Sequence, residues 1–346
     1  MIFHGRGATI NPRGRFERLE VALDEEFEAE ARNPDTRYLR DDSQSLISYN
    51  ESPDISFRAS LNPYRGCEHG CSYCYARPYH EYLGFSAGID FETRIMAKPS
   101  APELLRKELS SPKWEPQPLA MSGVTDCYQP LERKLQITRR CLQVLAEFRN
   151  PVGIVTKNHL VTRDIDVLTE LAGHGAACVF LSLTTLDSGL ARRLEPRASS
   201  PSHRLDAIAK LSAAGIPTGV LVAPVIPGLN EHEIPALLAA ARQAGAVSAG
   251  YTILRLPYGV KDIFSAWLEE HVPEAKEKIL GRIRDVRGGS LNDSRFGARL
   301  RGEGVFAGQI RQLFEVSLQR QGLKEKALPL STAAFRHPGG QQMELL

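Results

Sequence analysis

Short apolar runs alternate with longer amphipathic stretches between residues 54 and 258, and this alternation limits the fold more than any other feature of the chain. The short runs predict buried strands, and apolar residues spaced three and four positions apart predict helices between them. Gly175, Gly215 and Gly245 stand where helices should end, because glycine readily adopts the C-cap conformation. Strands that alternate with covering helices indicate a parallel sheet.

About six strand–helix units are predicted, which fits a full or partial β/α barrel better than a short open sheet. The predicted strands are Phe91–Lys98, Pro118–Ser122, Val152–Lys157, Cys178–Thr184, Thr218–Pro224 and Gly250–Leu254. The predicted helices between them are Ala101–Leu109, Arg133–Phe148, Asp164–Ala172, Ser202–Ala214 and Glu231–Ala244. The chain is therefore expected to belong to the α/β class.

The regions on either side of this alternation have different patterns. Residues 1–53 are charged and weakly periodic, and we interpret them as an N-terminal extension to a barrel at 54–258. Residues 259–325 predict a helical C-terminal extension, and residues 326–346 predict a flexible tail. The clearest helices of the C-terminal extension are Phe264–Glu270, Glu274–Val286 and Ala307–Gln321.

The chain lacks an apolar run of about 18 residues, so no transmembrane helix is predicted. The segment Met1–Arg15 is polar and rich in arginine, unlike a secretory signal, and a cytoplasmic location is expected. Thiols stay reduced in the cytoplasm, which argues against a disulfide framework for the six cysteines. The net charge of +2 means that any nucleic-acid surface must be local.

Three of the six cysteines, Cys67, Cys71 and Cys74, have the spacing C-x3-C-x2-C. Thiolates are the usual ligands of iron–sulfur clusters, and three of them leave one iron of a four-iron cluster free to bind a small molecule. Gly66 and Gly70 allow the loop to fold closely around a cluster. A zinc site is the alternative, because His69 and His80 are nearby in the sequence.

This motif, with the aromatic Tyr73 just before the third cysteine, resembles the signature of the radical S-adenosylmethionine (AdoMet, SAM) superfamily. The resemblance implies a partial (β/α)6 barrel of the TIM type, a [4Fe–4S] cluster on the three cysteines, and bound AdoMet. It also implies reductive cleavage of AdoMet to a 5′-deoxyadenosyl radical, which abstracts hydrogen from a substrate. A reductant such as flavodoxin or ferredoxin would supply the electron.

Within the superfamily the chain is similar to the spore photoproduct lyase branch, and most of all to its uncharacterised bacterial members. The segments that carry this likeness are Asn62–Cys67, Cys71–Tyr75, Val124–Asp126, Val155–Lys157, Leu181–Leu183, Leu194–Arg197 and Pro224–Asn230. Most of them follow a predicted strand, at the barrel rim that carries the chemistry of such folds.

The resemblance assigns the AdoMet pocket residue by residue. The implied contacts are Ser122, Gly123, Thr125, Asp126, Lys157, Ser182 and Arg197. Asp126 has the charge for the methionyl ammonium, and the arginine has the fork that suits a carboxylate. A surface ion pair between Glu195 and Arg197 is the alternative for that arginine.

The lyase branch returns a hydrogen atom to its substrate through a cysteine, and the matching position here is Gly123. The candidates for catalytic relay are Tyr73, Tyr75 and Cys127. The tyrosines would equally well pack around the cluster, and Cys127 would equally well be a buried thiol. Cys141 and Cys178 are expected to be small core residues.

Eight arginines lie between residues 280 and 320, among them Arg295, Arg299 and Arg301. Such a surface would hold phosphates of a nucleic acid, or would be a solvated face with local salt bridges. The sequence thus favours a radical enzyme that modifies or repairs a nucleic-acid base. Radical modification of a peptide or protein, and a non-enzymatic iron–sulfur or zinc module, are the alternatives, and the oligomeric state stays open.

Overall fold

The computed structural model describes residues 5–12, 14–16, 35–325 and 328–338. The strands in this part of the chain are β1 (Arg37–Arg40), β2 (Ile47–Tyr49), β3 (Ala59–Leu61), β4 (Tyr64–Arg65), β5 (Arg94–Ala97), β6 (Leu119–Met121), β7 (Val152–Thr156), β8 (Ala177–Ser182), β9 (Thr218–Val225) and β10 (Ser248–Ile253). The α-helices are α1 (Ile89–Thr93), α2 (Ala101–Leu109), α3 (Glu132–Leu135), α4 (Ile137–Phe148), α5 (Ile165–Gly173), α6 (Ser188–Leu194), α7 (Pro201–Ala213), α8 (Ile234–Gln243), α9 (Val260–His271), α10 (Lys276–Asp285), α11 (Ala298–Arg301) and α12 (Gly304–Arg320). Short 3-10 helices occupy Arg77–Leu83, His159–Asp164, Glu231–Glu233 and Pro273–Ala275.

The main sheet has seven strands in the order β10-β9-β8-β7-β6-β3-β2. The six strands from β3 to β10 in this order run parallel, and β2 is antiparallel to β3 at the edge. The central strands are buried on both faces, as expected when helices cover a parallel sheet. All six parallel strands therefore end at one edge of the sheet.

The first parallel strand is not the predicted Phe91–Lys98 but β3, at residues 59–61. Phe91 lies in helix α1, and β5 belongs to a separate three-stranded sheet in the order β1-β5-β4. The apolar run from Phe91 onwards is buried in this small sheet, which explains why it has the pattern of a core strand. A strand does form within the predicted segment, at Arg94–Ala97, but its place in the main sheet was wrong, whereas the number of parallel strands was right.

The glycine C-caps follow one pattern in three successive units. Gly175, Gly215 and Gly245 have φ of +65°, +77° and +103°, the left-handed region that glycine adopts without strain. At each site the next residue donates its backbone N–H to a carbonyl five residues back, as in Ala176 to Leu171 at 2.9 Å. These caps end α5, α7 and α8 and turn the chain into the next strand.

The C-terminal extension packs on the end of the sheet that β10 forms. Phe314 of α12 lies against Tyr251 of β10, with ring centroids 4.6 Å apart. Arg287, which is buried, donates hydrogen bonds to the backbone carbonyls of Ile253, Leu254 and Ala298. The extension is therefore joined to the sheet by buried apolar contacts and by buried hydrogen bonds.

Parts of both termini contact the barrel. Residues 328–338 fall within the expected tail; Ser331 donates its N–H to the Gly175 carbonyl at 2.9 Å, and Phe335 lies 6.2 Å from Phe148. Residues 326–327 and 339–346 of the expected tail, and residues 1–4, 13 and 17–34 of the expected N-terminal extension, lie outside the described residues.

Within the described ranges, every helix is too short or too polar to cross a bilayer.

Candidate active site at the carboxyl ends of the strands

The three-cysteine loop follows β3 and β4 and turns at two glycines. Gly66 has φ of +75°, and a Cβ there would lie 3.0 Å from the carbonyl oxygen of Phe91. Gly70 has φ of +67°, and a Cβ there would lie 2.5 Å from the Cβ of Arg6. Both positions require glycine, so the loop backbone is held tightly against its neighbours.

The side chains of Cys67, Cys71 and Cys74 converge. Cys67 belongs to a small apolar cluster with Phe91, Cys71 belongs to another with Leu194, and Cys74 packs against both clusters. Burial and the Glu195 carboxylate raise the pKa of the Cys71 thiol well above its usual value, and Cys74 and Cys67 raise it further. A thiol in this position gives up its proton readily only to a metal.

A buried ion pair supports the loop from below. Arg77 and Glu92, both fully buried, bond to each other through the guanidinium and carboxylate at 2.5 Å. Arg77 also donates to the Cys71 carbonyl at 2.8 and 3.0 Å and to the Gly88 carbonyl at 2.9 Å. This arginine therefore fixes the backbone at the second cysteine.

The N-terminal segment 5–8 covers the same loop. Glu92 accepts hydrogen bonds from the backbone N–H of Arg6, Gly7 and Ala8 at 2.6, 3.1 and 2.8 Å. A Cβ on Gly7 would lie 1.7 Å from the carbonyl oxygen of Gly70, so the covering segment and the cysteine loop contact each other through glycine backbone. One carboxylate thus holds both the covering segment and the arginine beneath the loop.

Of the two histidines considered for zinc, His69 lies beside Cys67, whereas His80 packs among aromatic rings. His69 lies with Nε2 3.2 Å from Asn158 Nδ2 and with Nδ1 3.4 Å from Asp126 Oδ2. The His80 ring packs against Phe85 and Phe91, with centroids 5.2 and 5.6 Å apart. Among the described residues, no three Cys, His, Asp or Glu side chains surround a point that a single metal ion would fill.

The segment after β6 contains four of the expected AdoMet contacts. Ser122 has φ of +78° and accepts the Cys127 N–H at 2.9 Å. Thr125 donates its hydroxyl to the Tyr64 carbonyl at 2.8 Å. Gly123 is partly exposed, and a Cβ there would make ordinary van der Waals contact with Ser60, 3.5 Å away.

Asp126 connects this segment to the next strand end and to the cysteine loop. Its carboxylate accepts the Thr156 hydroxyl at 2.7 Å, the Lys157 N–H at 2.8 Å and the Tyr128 N–H at 2.9 Å. Burial would raise the pKa of Asp126, but His69 and these donors lower it below its ordinary value. Asp126 is therefore a charged group that positions its neighbours.

Lys157 and Ser182, at the ends of β7 and β8, lie together as the sequence predicted for neighbouring strands. The Lys157 ammonium is 2.5 Å from Ser182 Oγ, 3.3 Å from the Ala223 carbonyl and 3.7 Å from Glu195 Oε1. The lysine side chain is 16% exposed, so its charge faces an opening at the strand ends.

Glu195 is the buried centre of this network. Its carboxylate pairs with Arg204 and accepts hydrogen bonds from the hydroxyls of Tyr73 and of Thr184, the latter at 2.6 Å. Burial opposes its ionisation, but Arg204 and Lys157 lower the pKa of Glu195 to about 2. The expected alternative pair of Glu195 with Arg197 does not form, because Glu195 points into the barrel.

Arg197 binds the cysteine loop. Its guanidinium pairs with the buried Glu68 carboxylate, and its backbone N–H donates to the His69 carbonyl at 3.2 Å. The Arg197 side chain remains 40% exposed. It therefore links the segment after β8 to the loop and keeps donors at the surface.

The candidate relay residues have different surroundings. Tyr75 is 43% exposed and donates its hydroxyl to the Gly123 carbonyl at 3.0 Å. Tyr73 is buried, and its hydroxyl lies between Thr184 and Glu195. Cys127 is fully buried in the main core, where burial raises the pKa of its thiol well above the usual value. Of the three, Tyr75 is the exposed one, and it contacts Gly123.

The predicted arginine surface is paired with acids. Arg295 bonds to Asp293 at 2.6 Å and to Glu303 at 2.8 Å, Arg299 bonds to Asp54 at 2.5 Å, and Arg301 lies 3.2 Å from Glu325. This arrangement agrees with a solvated face that has local salt bridges. Phosphate binding by these three arginines remains a prediction.

Arg255 is a residue that the sequence reasoning missed. It follows β10 by two positions, and its guanidinium lies 5.3 Å from the centroid of the Tyr75 ring. Its Nε is buried without a hydrogen-bond partner among the described residues. The signal that would have found it is its place just after the last barrel strand, at the rim where the other site residues lie.

Comparisons with known proteins agree with this geometry. The family model of the Radical SAM superfamily matches residues 61–241, just over half of the chain. An uncharacterized protein of Mycobacterium tuberculosis is 36% identical over 234 residues, which are 67% of this chain and 68% of that protein. The radical SAM Nα-GlyT isomerase of a Pseudomonas phage is 27% identical over 184 residues, 52% of this chain and 36% of that protein.

Solved structures of spore photoproduct lyase share the fold. The lyase complexed with dinucleoside spore photoproduct has a TM-score of 0.59 and 15% identity, over 83% of this chain and 81% of that chain. A mutant lyase with bound AdoMet and the same ligand has a TM-score of 0.58 and 16% identity, over 84% and 82%. The expected partial barrel is confirmed, and the chain belongs to the radical SAM superfamily, whose cofactors are a [4Fe–4S] cluster and AdoMet.

Proposed function

We propose that this chain is a radical SAM enzyme that abstracts hydrogen from a nucleic-acid base, in a repair or modification reaction. The observation that carries the proposal is that the three-cysteine loop and the polar ends of β6, β7 and β8 meet at one edge of the sheet. A nucleic-acid substrate is supported by the lyase structures, which hold a dinucleoside spore photoproduct.

Cys67, Cys71 and Cys74 fit a four-iron cluster. Their thiols converge on one loop, both loop glycines have the backbone that a tight turn needs, and no three Cys, His, Asp or Glu side chains of the described residues surround a point for a single metal ion. When bound and reduced by a partner such as flavodoxin or ferredoxin, the cluster supplies the electron for cleavage of AdoMet to methionine and a 5′-deoxyadenosyl radical. Arg77 and Glu92 hold the loop backbone in place for it.

Lys157, Ser182 and Arg197 would bind AdoMet. The Lys157 ammonium and the Ser182 hydroxyl offer a charge and a donor for carboxylate or ribose oxygens, and Arg197 offers a guanidinium. Asp126 positions Lys157 through its backbone N–H, since the two bond at 2.8 Å. Contacts of Ser122, Gly123 and Thr125 with the methionyl group belong to the same proposal.

The substrate would approach at Gly123, which is partly exposed and accepts the Tyr75 hydroxyl at its carbonyl. Tyr75 is the better placed hydrogen relay, because it is exposed and contacts Gly123. Tyr73 would act behind it, since its hydroxyl is already bound by Glu195. Cys127 would need the core to open before its thiol reached a substrate.

Replacement of Cys71 with alanine tests the reaction. After anaerobic reconstitution with iron and sulfide, then dithionite and AdoMet, the wild type should form 5′-deoxyadenosine and Cys71→Ala should form none. Cys141→Ala is the matched control, because Cys141 is buried in the core. An intact four-iron cluster in wild type without any 5′-deoxyadenosine would contradict the proposal.

Irradiated DNA tests the substrate in the same assay. Loss of photoproducts, or a new base product, that depends on AdoMet and Cys71 is the expected result. Wild type that forms 5′-deoxyadenosine but leaves DNA unchanged would redirect the search to peptide substrates.

Replacement of Lys157 with alanine tests the AdoMet site. We expect at least tenfold weaker AdoMet binding by equilibrium dialysis. The variant loses the Lys157 ammonium and the hydrogen bond that this ammonium donates to Ser182. Lys210→Ala is the control, since Lys210 is exposed and pairs with Asp206 on a helix surface. Equal affinity of Lys157→Ala and wild type would remove Lys157 from the site.

A further inference from the structure

A row of exposed tyrosines leads from the candidate site to the surface. Tyr75, Tyr79 and Tyr82, here called the tyrosine stripe, stand four and three residues apart in and just before the 3-10 helix Arg77–Leu83. They are 43%, 54% and 66% exposed. Large aromatic side chains are usually buried, and several on one surface mark a binding site.

The stripe begins at the substrate end of the site. The Tyr75 hydroxyl donates to the carbonyl of Gly123, which is partly exposed. Tyr79 and Tyr82 continue away from that point, with ring centroids 6.5 Å apart. Phe16, which is also exposed, follows Tyr82, and the centroids of the two rings are 5.2 Å apart. Flat apolar faces therefore follow one another outwards from Gly123.

A cation accompanies the stripe. Arg255 lies over the Tyr75 ring and close to Tyr79, and no hydrogen bond or ion pair joins it to another described residue. The nearby carboxylate of Asp54 is already paired with Arg299 at 2.5 Å. Arg255 thus retains its capacity to bind an anion, which would offset the cost of its partial burial.

We propose that the tyrosine stripe and Arg255 bind a single-stranded segment of nucleic acid next to the base that reacts at Gly123. Bases stack on the exposed rings, and a phosphate pairs with the guanidinium, which is how single strands are bound elsewhere. A duplex keeps its bases stacked inside and offers no face to the tyrosines. This inference deepens the proposed function and rests on it for the place of the reacting base.

The test measures binding of a fluorescein-labelled oligothymidylate to the full, anaerobically reconstituted chain by fluorescence anisotropy. Tyr79→Ala and Tyr82→Ala should each weaken binding about tenfold or more, because a stacked base contributes about 1–3 kcal/mol. Tyr79→Phe and Tyr82→Phe should bind like wild type, since the ring face remains. Iron content and circular dichroism check that each variant folds.

Two further variants separate stacking from charge. Arg255→Gln should lower the slope of log Kd against log salt by about 0.7, the value for one phosphate contact on a single strand. Tyr49→Ala should leave binding unchanged, because Tyr49 is exposed on the edge strand β2, outside the stripe.

Equal binding by all variants, or stronger binding of duplex than of the single strand, would overturn the inference. Loss of reduction by flavodoxin in the Tyr79→Ala variant, with oligonucleotide binding intact, would also overturn it and would assign the stripe to the electron donor. The 5′-deoxyadenosine assay keeps the two proposals apart. Wild type that forms 5′-deoxyadenosine but does not bind the oligonucleotide refutes the stripe alone, and the reverse result refutes the radical reaction alone.

Discussion

Two groups of arginines have opposite surroundings in this protein. Arg77 and Arg204, at the site, are fully buried, and each pairs with a buried carboxylate, Glu92 and Glu195. Arg295 and Arg301, in the C-terminal extension, pair with acids at the surface. Breaking a buried pair is costly because the remaining charge is left without water or a partner, whereas exposed pairs contribute little. Burial, and not the number of charges, decides which arginines the fold depends on.

Arg77→Gln should lower the free energy of unfolding more than the other variants that test this comparison. It leaves the buried Glu92 carboxylate without its cation and removes hydrogen bonds to the Cys71 and Gly88 carbonyls. We expect the free energy of unfolding in urea to fall by about 3–5 kcal/mol. Arg106→Gln is the matched control, because Arg106 pairs with Glu147 at the surface and should cost less than about 1 kcal/mol. Similar losses in the two variants would break the comparison.

Glu195→Gln should have a smaller effect that depends on pH. The amide still accepts hydrogen bonds from Thr184 and Tyr73 but no longer offsets Arg204 and Lys157, so we expect a loss of about 3 kcal/mol near neutral pH. The folded pKa of about 2 lies below the ordinary value of 4.5, so the charge stabilises the fold fully above pH 4.5. This contribution is lost as the pH falls from 4.5 towards 2.

The measurement for Glu195 is urea unfolding of wild type and variant across this pH range. The difference in free energy should shrink as the pH decreases. A difference that stays constant with pH would mean that the packing of Glu195, and not its charge, stabilises the site.

Arg295→Gln should have the smallest effect. Its guanidinium is 63% exposed and is already shared between Asp293 and Glu303, so solvent screens the pair. We expect the urea midpoint and the affinity for the oligothymidylate to match those of wild type. A clear loss of oligonucleotide binding here, with Arg255→Gln unaffected, would move the nucleic-acid surface to the extension.

The regular part of the fold could be predicted from sequence because each unit repeats the same local signals. The apolar runs of β7, β8 and β9 and the glycine caps of α5, α7 and α8 lie within a few residues of their predicted positions. Strand β3 was missed because it has three residues, too few to show a period.

Motifs also predicted which residues lie near the site, but not how their charges pair. Lys157 and Ser182 meet because they end adjacent parallel strands. The partner of Glu195 is Arg204, which lies nine residues later in α7, whereas the sequence pointed to Arg197 two residues away. Such pairs depend on how a helix packs against the sheet, which no local pattern records.

The contact between Glu92 and residues 6–8 has a consequence for biosynthesis. Ala8 is synthesised 84 residues before the carboxylate that accepts its N–H, so the covering segment leaves the ribosome long before its binding surface exists. All three cysteines are made in the interval. On the nascent chain this segment therefore cannot cover the cysteine loop by this contact until Glu92 has been synthesised.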